Sequence, residues 1–153
     1  MAIEAKAPLC MESATLRRDT AWEMSEENVE VVRKAIAYEY DGVGDRAEAE
    51  AIFDPEVVLN PIDEGPSHGP DEMRYDWERW SSAFEELRVT FEEIIDAGDQ
   101  VVVVAHHQGR GRESGIEIDA RFYEVYTVRE GKVARVDEYT EREEALQAAG
   151  LSE

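Results

Sequence analysis

The stretch that decides the fold is residues 116–139, which read IEIDARFYEVYTVREGKVARVDEY. In a β-strand every second side chain shares a face, so one side of the first strand is predicted to be apolar. Its members are Ile116, Ile118, Ala120, Phe122, Tyr126 and Val128. Glu124 interrupts this row. Because an ionised carboxylate on an apolar face is costly unless it is paired, hydrated or protonated, Glu124 is a candidate acid, base or ligand anchor.

The turn after this strand decides where a second carboxyl group lies. Arg129-Glu130-Gly131 predicts a three-residue loop that closes on a left-handed glycine. In that register Glu124 faces Val136 and Phe122 faces Glu138, so Glu124 and Glu138 become diagonal neighbours about 5–8 Å apart. A two-residue loop would instead place Glu138 on the opposite face. We expect the longer loop, because two-residue turns prefer Asn-Gly or Asp-Gly to Glu-Gly.

Each of these carboxyl groups also has a purely structural interpretation. Glu124 could bind a backbone donor, a tyrosine hydroxyl or Arg135. Glu138 could lie at the hydrated rim of the sheet.

The composition limits the classes of partner. The 153 residues fit one domain with a substantial core. A formal charge of −21 argues against nucleic acids and anionic membrane surfaces as partners, and no apolar run is long enough for a membrane span. The single cysteine, Cys10, excludes an internal disulfide and fits a reducing compartment, so a cytoplasmic location is expected.

The first 23 residues differ in pattern from the rest of the chain. They lack steady hydrophobic periodicity and do not resemble a secretory signal, whereas Met24-Ser25 begins a pattern typical of a helix. We therefore expect residues 1–23 to be a loosely ordered N-terminal extension and residues 24–153 to form a single domain.

The remaining pattern predicts helices first and strands afterwards. The first helix follows Ser25 and carries an apolar stripe up to Val43, a shorter one covers 47–53, and a third begins at Pro70. The strands are predicted at 57–59, 87–95, 101–108, 116–128 and 133–140, and a last helix at 141–149. Segregated helices and strands predict an α+β fold, with a strongly curved, mostly antiparallel sheet wrapped around three N-terminal helices.

Aromatic side chains on the predicted helices could line a cavity or fill a core. Trp77, Trp80 and Phe84 form a stripe on the third helix, and such stripes are more often core. The two interpretations overlap if the sheet is strongly bent, because the helix then covers the cavity mouth. Tyr40 lies on the inner stripe of the first helix, whereas Tyr38 is expected to point away.

Only one of the adjacent His106 and His107 can face inward from a strand. A four-residue loop over 112–115 sets His107 opposite Ala120, on the face of Glu124, and other loop lengths exchange the two histidines. A neutral imidazole beside carboxylates is a natural partner in proton transfer, although a structural histidine is equally compatible. A zinc site is not expected, because the three histidines show no recognised ligand spacing.

The order of elements, Gly131-Lys132 in the last hairpin and the ending EEALQAAGL at 143–151 resemble the nuclear transport factor 2-like superfamily. Within it the chain is similar to the SnoaL-like branch, which contains polyketide cyclases. The resemblance covers residues 25–151. It implies a cone-shaped sheet that encloses an apolar pocket, often in a dimer.

Position by position, the resemblance implies some activities and argues against others. Asn60 stands where ketosteroid isomerases carry a proton-abstracting aspartate, and asparagine cannot act as that base. Glu124 falls where those enzymes carry an acidic oxyanion donor. Glu138 falls where polyketide cyclases and limonene epoxide hydrolases keep a catalytic aspartate. Ala105 and His107 replace the arginine and aspartate that the epoxide hydrolases need, so epoxide hydrolysis is not expected.

The leading hypothesis is a cofactor-independent enzyme that transfers a proton next to the carbonyl group of a small, largely apolar molecule, as in isomerisation or cyclisation. Glu138 would be the general acid/base, His107 its partner or oxyanion stabiliser, and Glu124 a second hydrogen-bonding carboxyl group. The residues expected to contact the ligand are Tyr40, Asn60, Trp77, Trp80, Phe84, Phe122, Tyr126 and Val136. No metal or cofactor is expected.

Two alternatives stay open on the sequence alone. One is a non-catalytic pocket for a small hydrophobic ligand, and the other is an interaction domain whose pocket is filled by its own side chains. We expect a homodimer, formed through an outer sheet face that carries Tyr123, Val125, Val133 and Tyr139.

Overall fold

The computed structural model describes residues 15–18, 23–42 and 44–151. The helices in these ranges are α1 (Glu23–Asp41), α2 (Arg46–Ile52), α3 (Pro70–Ser82) and α4 (Arg142–Ala148). The strands are β1 (Thr15–Arg18), β2 (Phe53–Asn60), β3 (Ser67–His68), β4 (Phe84–Ala97), β5 (Gln100–Gly111), β6 (Glu117–Arg129) and β7 (Lys132–Tyr139). Within the described residues, none of these helices combines the length and the apolar character that crossing a membrane requires.

The described strands form one sheet in the order β1-β4-β5-β6-β7-β2-β3. Strands β4 to β7 pair antiparallel in sequence, whereas β1 lies parallel to β4 and β2 lies parallel to β7. The pairing of β4 with β5 shifts twice, between Glu85 and Arg88 and between Phe91 and Glu93. Such bulges bend a strand and increase its twist. The predicted α+β fold with a curved, mostly antiparallel sheet is confirmed.

Helix α1 packs against the inner face of the curved sheet. Val29, Val32, Ile36 and Tyr40 recur at helical spacing, and each is at most 4 % exposed. The helix contacts α3 and four consecutive strands, β4 to β7. Asn28 fixes its start by donating a hydrogen bond from its side-chain amide to a carbonyl in the β4–β5 turn. The inner core is therefore shared between this helix and the sheet.

Helix α4 covers part of the outer face of the sheet, which corrects the surface expected to mediate dimerisation. Val125 is 1 % exposed beneath α4, and Val133 lies instead in the inner core with no exposure. Tyr123 and Tyr139 pack at the edge of the outer cluster. The homodimer itself stays a prediction. The outer cluster consists of Ile95, Val102, Val125, Ala145, Leu146 and Ala149.

The β6–β7 hairpin has a shorter turn than the sequence predicted. Arg129 pairs with Lys132, so the loop consists of Glu130 and Gly131, with φ angles of 51° and 76°. Two successive left-handed residues are the signature of a type I′ turn. The prediction of a three-residue loop was therefore wrong.

One extra residue in β7 nevertheless keeps Glu138 on the inner face. The register shifts between Thr127 and Val128, because Ala134 has no partner in β6 and forms a β-bulge. Beyond the bulge, Glu124 lies directly opposite Glu138 rather than diagonal to it. A two-residue turn without this bulge would have turned Glu138 to the outer face.

The β5–β6 hairpin has the predicted four-residue loop. His107 pairs with Ala120 and is 4 % exposed, which confirms that His107 faces inward. His106 faces outward and contacts the carboxylates of Glu92 and Asp119. The alternation of a strand leaves no other arrangement for two adjacent histidines.

Three smaller expectations need correction. Phe84 begins β4 and is not part of helix α3. Tyr38 is buried rather than directed away, and the guanidinium of Arg74 lies 3.7 Å from the centre of its ring. Strand β1 lies within the segment 1–23, where no strand was expected. Val43 and residues 1–14 fall outside the described residues, and the domain boundary at residue 24 stays a prediction.

Candidate active site

A cavity of about 410 Å³ opens between the inner face of the sheet, α1, α3 and the loop 61–64 that follows β2. A space of this size is enough for a small organic ligand. Aromatic and acidic side chains dominate its wall. The aromatic members are Tyr40, Trp77, Trp80 and Phe122, and the acidic members are Glu39, Asp63, Glu64, Asp76, Glu124 and Glu138.

Two carboxyl groups meet on the sheet wall of this cavity. Glu124 of β6 and Glu138 of β7 are directly opposite each other, and their side chains are hydrogen-bonded. A hydrogen bond between two carboxyl groups requires a proton on one of them. Burial raises the pKa of Glu124 to about 6, and burial together with the charge of Glu124 raises the pKa of Glu138 to about 8. The pKa of Glu138 is raised further than that of Glu124, which favours Glu138 as the holder of the shared proton. The backbone N–H of Ile62 also donates to Glu138.

Two buried tyrosine hydroxyls hold Glu124 in place. The Tyr40 hydroxyl donates to Oε2 of Glu124 at 2.6 Å, and the Tyr126 hydroxyl lies 3.3 Å from Oε1. Burial and the neighbouring carboxyl groups raise the pKa of both phenols well above the usual value. The phenols consequently stay protonated and act as donors, which favours the ionised form of Glu124 over that of Glu138.

Glu39 of α1 is a third carboxyl group in the cavity, and the sequence analysis missed it. Its side chain is 5 % exposed, and its Oε2 lies 3.3 Å from the Tyr126 hydroxyl. Burial first, and then the charges of Glu124 and Glu138, raise the pKa of Glu39 well above its ordinary value. The sequence contained a pattern that could have identified Glu39, because this residue follows Ile36 by three positions and shares the inward face of the helix. It is a carboxylate in an apolar row, the same pattern that singled out Glu124.

His107 of β5 lies at the other end of the cavity. The indole N–H of Trp80 donates to its Nδ1 at 3.3 Å, so the proton of the neutral ring is on Nε2. Burial lowers the pKa of His107 to about 3, and the ring is therefore neutral at physiological pH. It packs edge-on against Phe122, with the ring centres 4.8 Å apart. This imidazole can donate a hydrogen bond to a ligand but carries no positive charge.

The structure does not bring His107 to the carboxyl pair. His107 pairs with Ala120, which lies four residues along β6 from Glu124, or about 13 Å at the rise of a strand. Phe122 lies between them on the same face of the strand. The direct partnership of His107 with Glu138 that the sequence suggested is therefore not formed, and a ligand would have to extend from one to the other.

An ion pair lies at the rim of the cavity. Arg79 of α3 donates two hydrogen bonds to the carboxylate of Glu64, one of them at 2.6 Å, and a third to Asp76 at 3.1 Å. The side chains of Arg79 and Glu64 are each 46 % exposed, so water screens their interaction. Among the described residues Arg79 is the single cationic side chain in the cavity wall, and two carboxylates already match its charge.

The chain resembles known proteins in both sequence and structure. Residues 34–136 match the family model of the SnoaL-like domain. The chain belongs to the SnoaL-like family. The resemblance seen in the sequence is thereby confirmed. No curated protein matches the chain in sequence.

Solved structures share the SnoaL-like fold. A protein from Jannaschia sp. CCS1, described as a SnoaL-like polyketide cyclase, matches with a TM-score of 0.67 and 20 % identity, over 80 % of this chain and 91 % of that one. An NTF2-like protein from Burkholderia thailandensis E264 has a TM-score of 0.63 and 22 % identity, over 74 % and 90 %. TerC, co-crystallised with polyporic acid, has a TM-score of 0.60 and 20 % identity, over 75 % and 92 %. At these identities the likeness shows the fold alone.

Half of the side chains that were expected to contact a ligand line the cavity. Tyr40, Trp77, Trp80 and Phe122 line it, whereas Asn60, Phe84, Tyr126 and Val136 do not. The sequence analysis did not anticipate the acidic residues on α1 and α3 or the loop 61–64. Across the described residues, no three side chains of histidine, cysteine, aspartate or glutamate are grouped so that they could hold a metal ion.

The four side chains outside the cavity wall have other partners. The amide of Asn60 donates to Asp137 at 2.8 Å, because parallel pairing of β2 with β7 sets these two residues side by side. Phe84 packs beside the ring of Trp80, with the centres 4.8 Å apart. The remaining two are fully buried behind the wall; they are Tyr126 and Val136.

Proposed function

We propose that this SnoaL-like protein is an enzyme that moves a proton at a small, largely apolar carbonyl compound, with Glu138 as general acid/base and Glu124 as its partner. The observation that carries the proposal is that these two carboxyl groups lie directly opposite each other on neighbouring strands, in the wall of the cavity. One group holds the proton and the other is ionised. An acid and a base are therefore available within one hydrogen bond.

The roles of the two groups follow from their exposure. Glu138 is partly exposed, whereas Glu124 is 1 % exposed and held by Tyr40. Protonated Glu138 is placed to donate to the carbonyl oxygen of a bound molecule, where negative charge develops. Ionised Glu124, which also lines the cavity, accepts the proton that leaves the neighbouring carbon, and the contact between the two groups lets that proton return to Glu138.

The far end of the cavity supports a second polar contact. The Nε2–H of neutral His107 would donate to another oxygen of a ligand that extends past Phe122. Trp77 and Trp80 would cover its apolar body. TerC, which shares the fold, was co-crystallised with polyporic acid. A small organic ligand is therefore the class of partner that we propose.

The test is proton exchange into a panel of small cyclic and aromatic ketones in D₂O, followed by mass spectrometry. We expect the wild-type protein to accelerate deuterium uptake next to the carbonyl group, and Glu138→Gln to slow it by about 10²–10⁴-fold. Glu144→Gln, an exposed change on α4, is the matched control and should keep the wild-type rate. A Glu138→Gln variant that exchanges as fast as wild type would remove Glu138 from this role.

Binding without catalysis is the second candidate, and the four aromatic side chains in the cavity wall favour it. This candidate predicts that the purified protein retains a small molecule detectable by native mass spectrometry. It also predicts that the retained molecule takes up no deuterium faster with the protein than in buffer alone.

A further inference from the structure

Glu39 is a buried carboxyl group that the proposed proton transfer leaves without a role. It lines the cavity and is 5 % exposed. Among the described residues one donor reaches it, the hydroxyl of Tyr126, which lies 3.3 Å from Oε2. No hydrogen bond to the other oxygen, Oε1, is seen among the described residues, and Glu39 lines the cavity wall. A carboxyl group held in this way keeps an acceptor available to a ligand that fills the cavity.

The wall around Glu39 has more acceptors than donors. The neighbouring groups that influence the pKa of Glu39 are three acids and one phenol; they are Glu124, Glu138, Asp76 and Tyr126. Tyr126 has a single proton, and its hydroxyl lies equally close, at 3.3 Å, to Glu124. A ligand that brings donors and a positive charge would supply what this part of the wall lacks.

The aromatic side chains beside Glu39 suit the same kind of ligand. Tyr40 packs against Trp77 with the ring centres 4.5 Å apart, and both line the cavity. The faces of tyrosine and tryptophan rings attract cations. The nearest protein cation in the wall, Arg79, is held at the rim by Glu64 and Asp76, so it leaves this position to a ligand. The acidic and the aromatic side chains around Glu39 thus favour the same kind of ligand, which is a cation.

We propose that Glu39 anchors an ammonium group, so that the cavity takes a small aromatic or alicyclic compound that carries a protonated amine. The ammonium group lies against Glu39, and the apolar body lies along Trp77 and Trp80 within reach of Glu138. Such amines would also be the substrates of the proton transfer proposed above. This proposal rests on that function only in that both use the same cavity.

Two probes of similar shape separate the effect of charge from the effect of size. Benzylamine is cationic at neutral pH, whereas benzyl alcohol is neutral. Isothermal titration calorimetry is expected to show that wild-type protein binds benzylamine about tenfold or more tightly than benzyl alcohol. Equal or tighter binding of the alcohol would overturn the proposal.

The variant Glu39→Gln tests the anchor itself. It removes the carboxyl group that ionises against a bound ammonium group, keeps the size and can still accept from Tyr126. The affinity for benzylamine should therefore fall about tenfold while that for benzyl alcohol is retained. Glu144→Gln should preserve both affinities. Unchanged selectivity in Glu39→Gln overturns the anchor. Glu39→Asp keeps an ionisable carboxyl group and should keep the preference for the amine, which separates loss of the carboxyl group from damage to the fold.

The pH dependence gives an independent readout. Between pH about 6 and about 8, Glu124 and Glu138 lose protons while benzylamine keeps its own, so its affinity should rise. Of the other facing groups, Tyr40, Tyr126 and His107 stay neutral over this range, and the Arg79–Glu64 pair at the rim stays charged. Asp76 of α3 also faces Glu39. An affinity that falls over this range contradicts the proposal.

Failure of this inference and failure of the proposed function give different results, since binding needs no turnover. Amine selectivity without deuterium uptake supports the anchor and contradicts the enzyme. Deuterium uptake by neutral ketones without amine selectivity supports the enzyme and contradicts the anchor.

Discussion

Glu138 keeps a proton at a pH where an exposed glutamate has lost it, because burial and the charge of Glu124 disfavour its ionised form. A group that binds a proton more tightly when folded stabilises the folded state at low pH. Its folded pKa is about 8 and its ordinary value 4.5, so this stabilisation is complete below about pH 4.5 and is lost as the pH rises through about 8. We expect the free energy of unfolding, measured with urea, to decrease across this range.

The variant Glu138→Gln should show a shallower decrease, because it removes one of the groups whose pKa is raised. Some slope should remain, since burial also raises the pKa values of Glu124 and Glu39. Glu144→Gln is expected to reproduce the wild-type slope. A wild-type free energy of unfolding that does not change across this range would contradict the raised pKa of Glu138.

The Tyr40 hydroxyl is the shortest link between α1 and the sheet at this site. It donates to ionised Glu124 at 2.6 Å in a buried position. Tyr40→Phe is therefore expected to lower the free energy of unfolding by about 1–3 kcal/mol, because Glu124 loses a donor that water cannot replace. Tyr75→Phe, at a position that is 63 % exposed, should change it little. Urea denaturation at neutral pH compares the two.

Residue-level prediction succeeded where a pattern is local and failed where a partner is distant. Alternation along β6 was enough to place Glu124 on the inner face. Glu39 was missed because the inward stripe of a helix is wide enough to include two neighbouring positions, and only Tyr40 was chosen. Asn60 was misplaced because its partner, Asp137, comes from a parallel pairing between strands far apart in sequence.

At the element scale, the β6–β7 turn places a residue with a side chain in the left-handed region. Glu130 has a φ of 51°, a conformation that asparagine tolerates better than glutamate. Glu130→Asn is expected to raise the free energy of unfolding by several tenths up to about 1 kcal/mol. Gly131→Ala is expected to lower it by about 1–2 kcal/mol, because φ is 76° there. Thermal and urea denaturation of both variants measure these changes with opposite signs.

The order of helices and strands was predictable because helical and strand periodicities are properties of neighbouring residues. The bulge at Ala134 was not, because nothing in an alanine marks it as unpaired. The turn was mispredicted from average preferences, and the bulge then compensated for it. The inward position of Glu138 thus depends on two features of the hairpin, of which the sequence analysis found neither.

At the scale of the whole molecule, a formal charge of −21 opposes compaction through repulsion between like charges. Salt shortens the range of this repulsion to about 10 Å at 0.1 M. We therefore expect the melting temperature, followed by differential scanning fluorimetry, to rise as NaCl is added up to about 0.15 M. A fall would show that surface pairs such as Arg121–Glu92 and Arg142–Glu93 stabilise the fold more than the net charge destabilises it.

The pair of Arg79 and Glu64 connects α3 to the loop after β2, on two sides of the cavity entrance. For a molecule that passes between α3 and this loop, the two side chains have to separate both on entry and on exit. Along that path the pair affects residence time rather than affinity. Neutralising Glu64 would speed arrival and departure together and leave their ratio nearly unchanged.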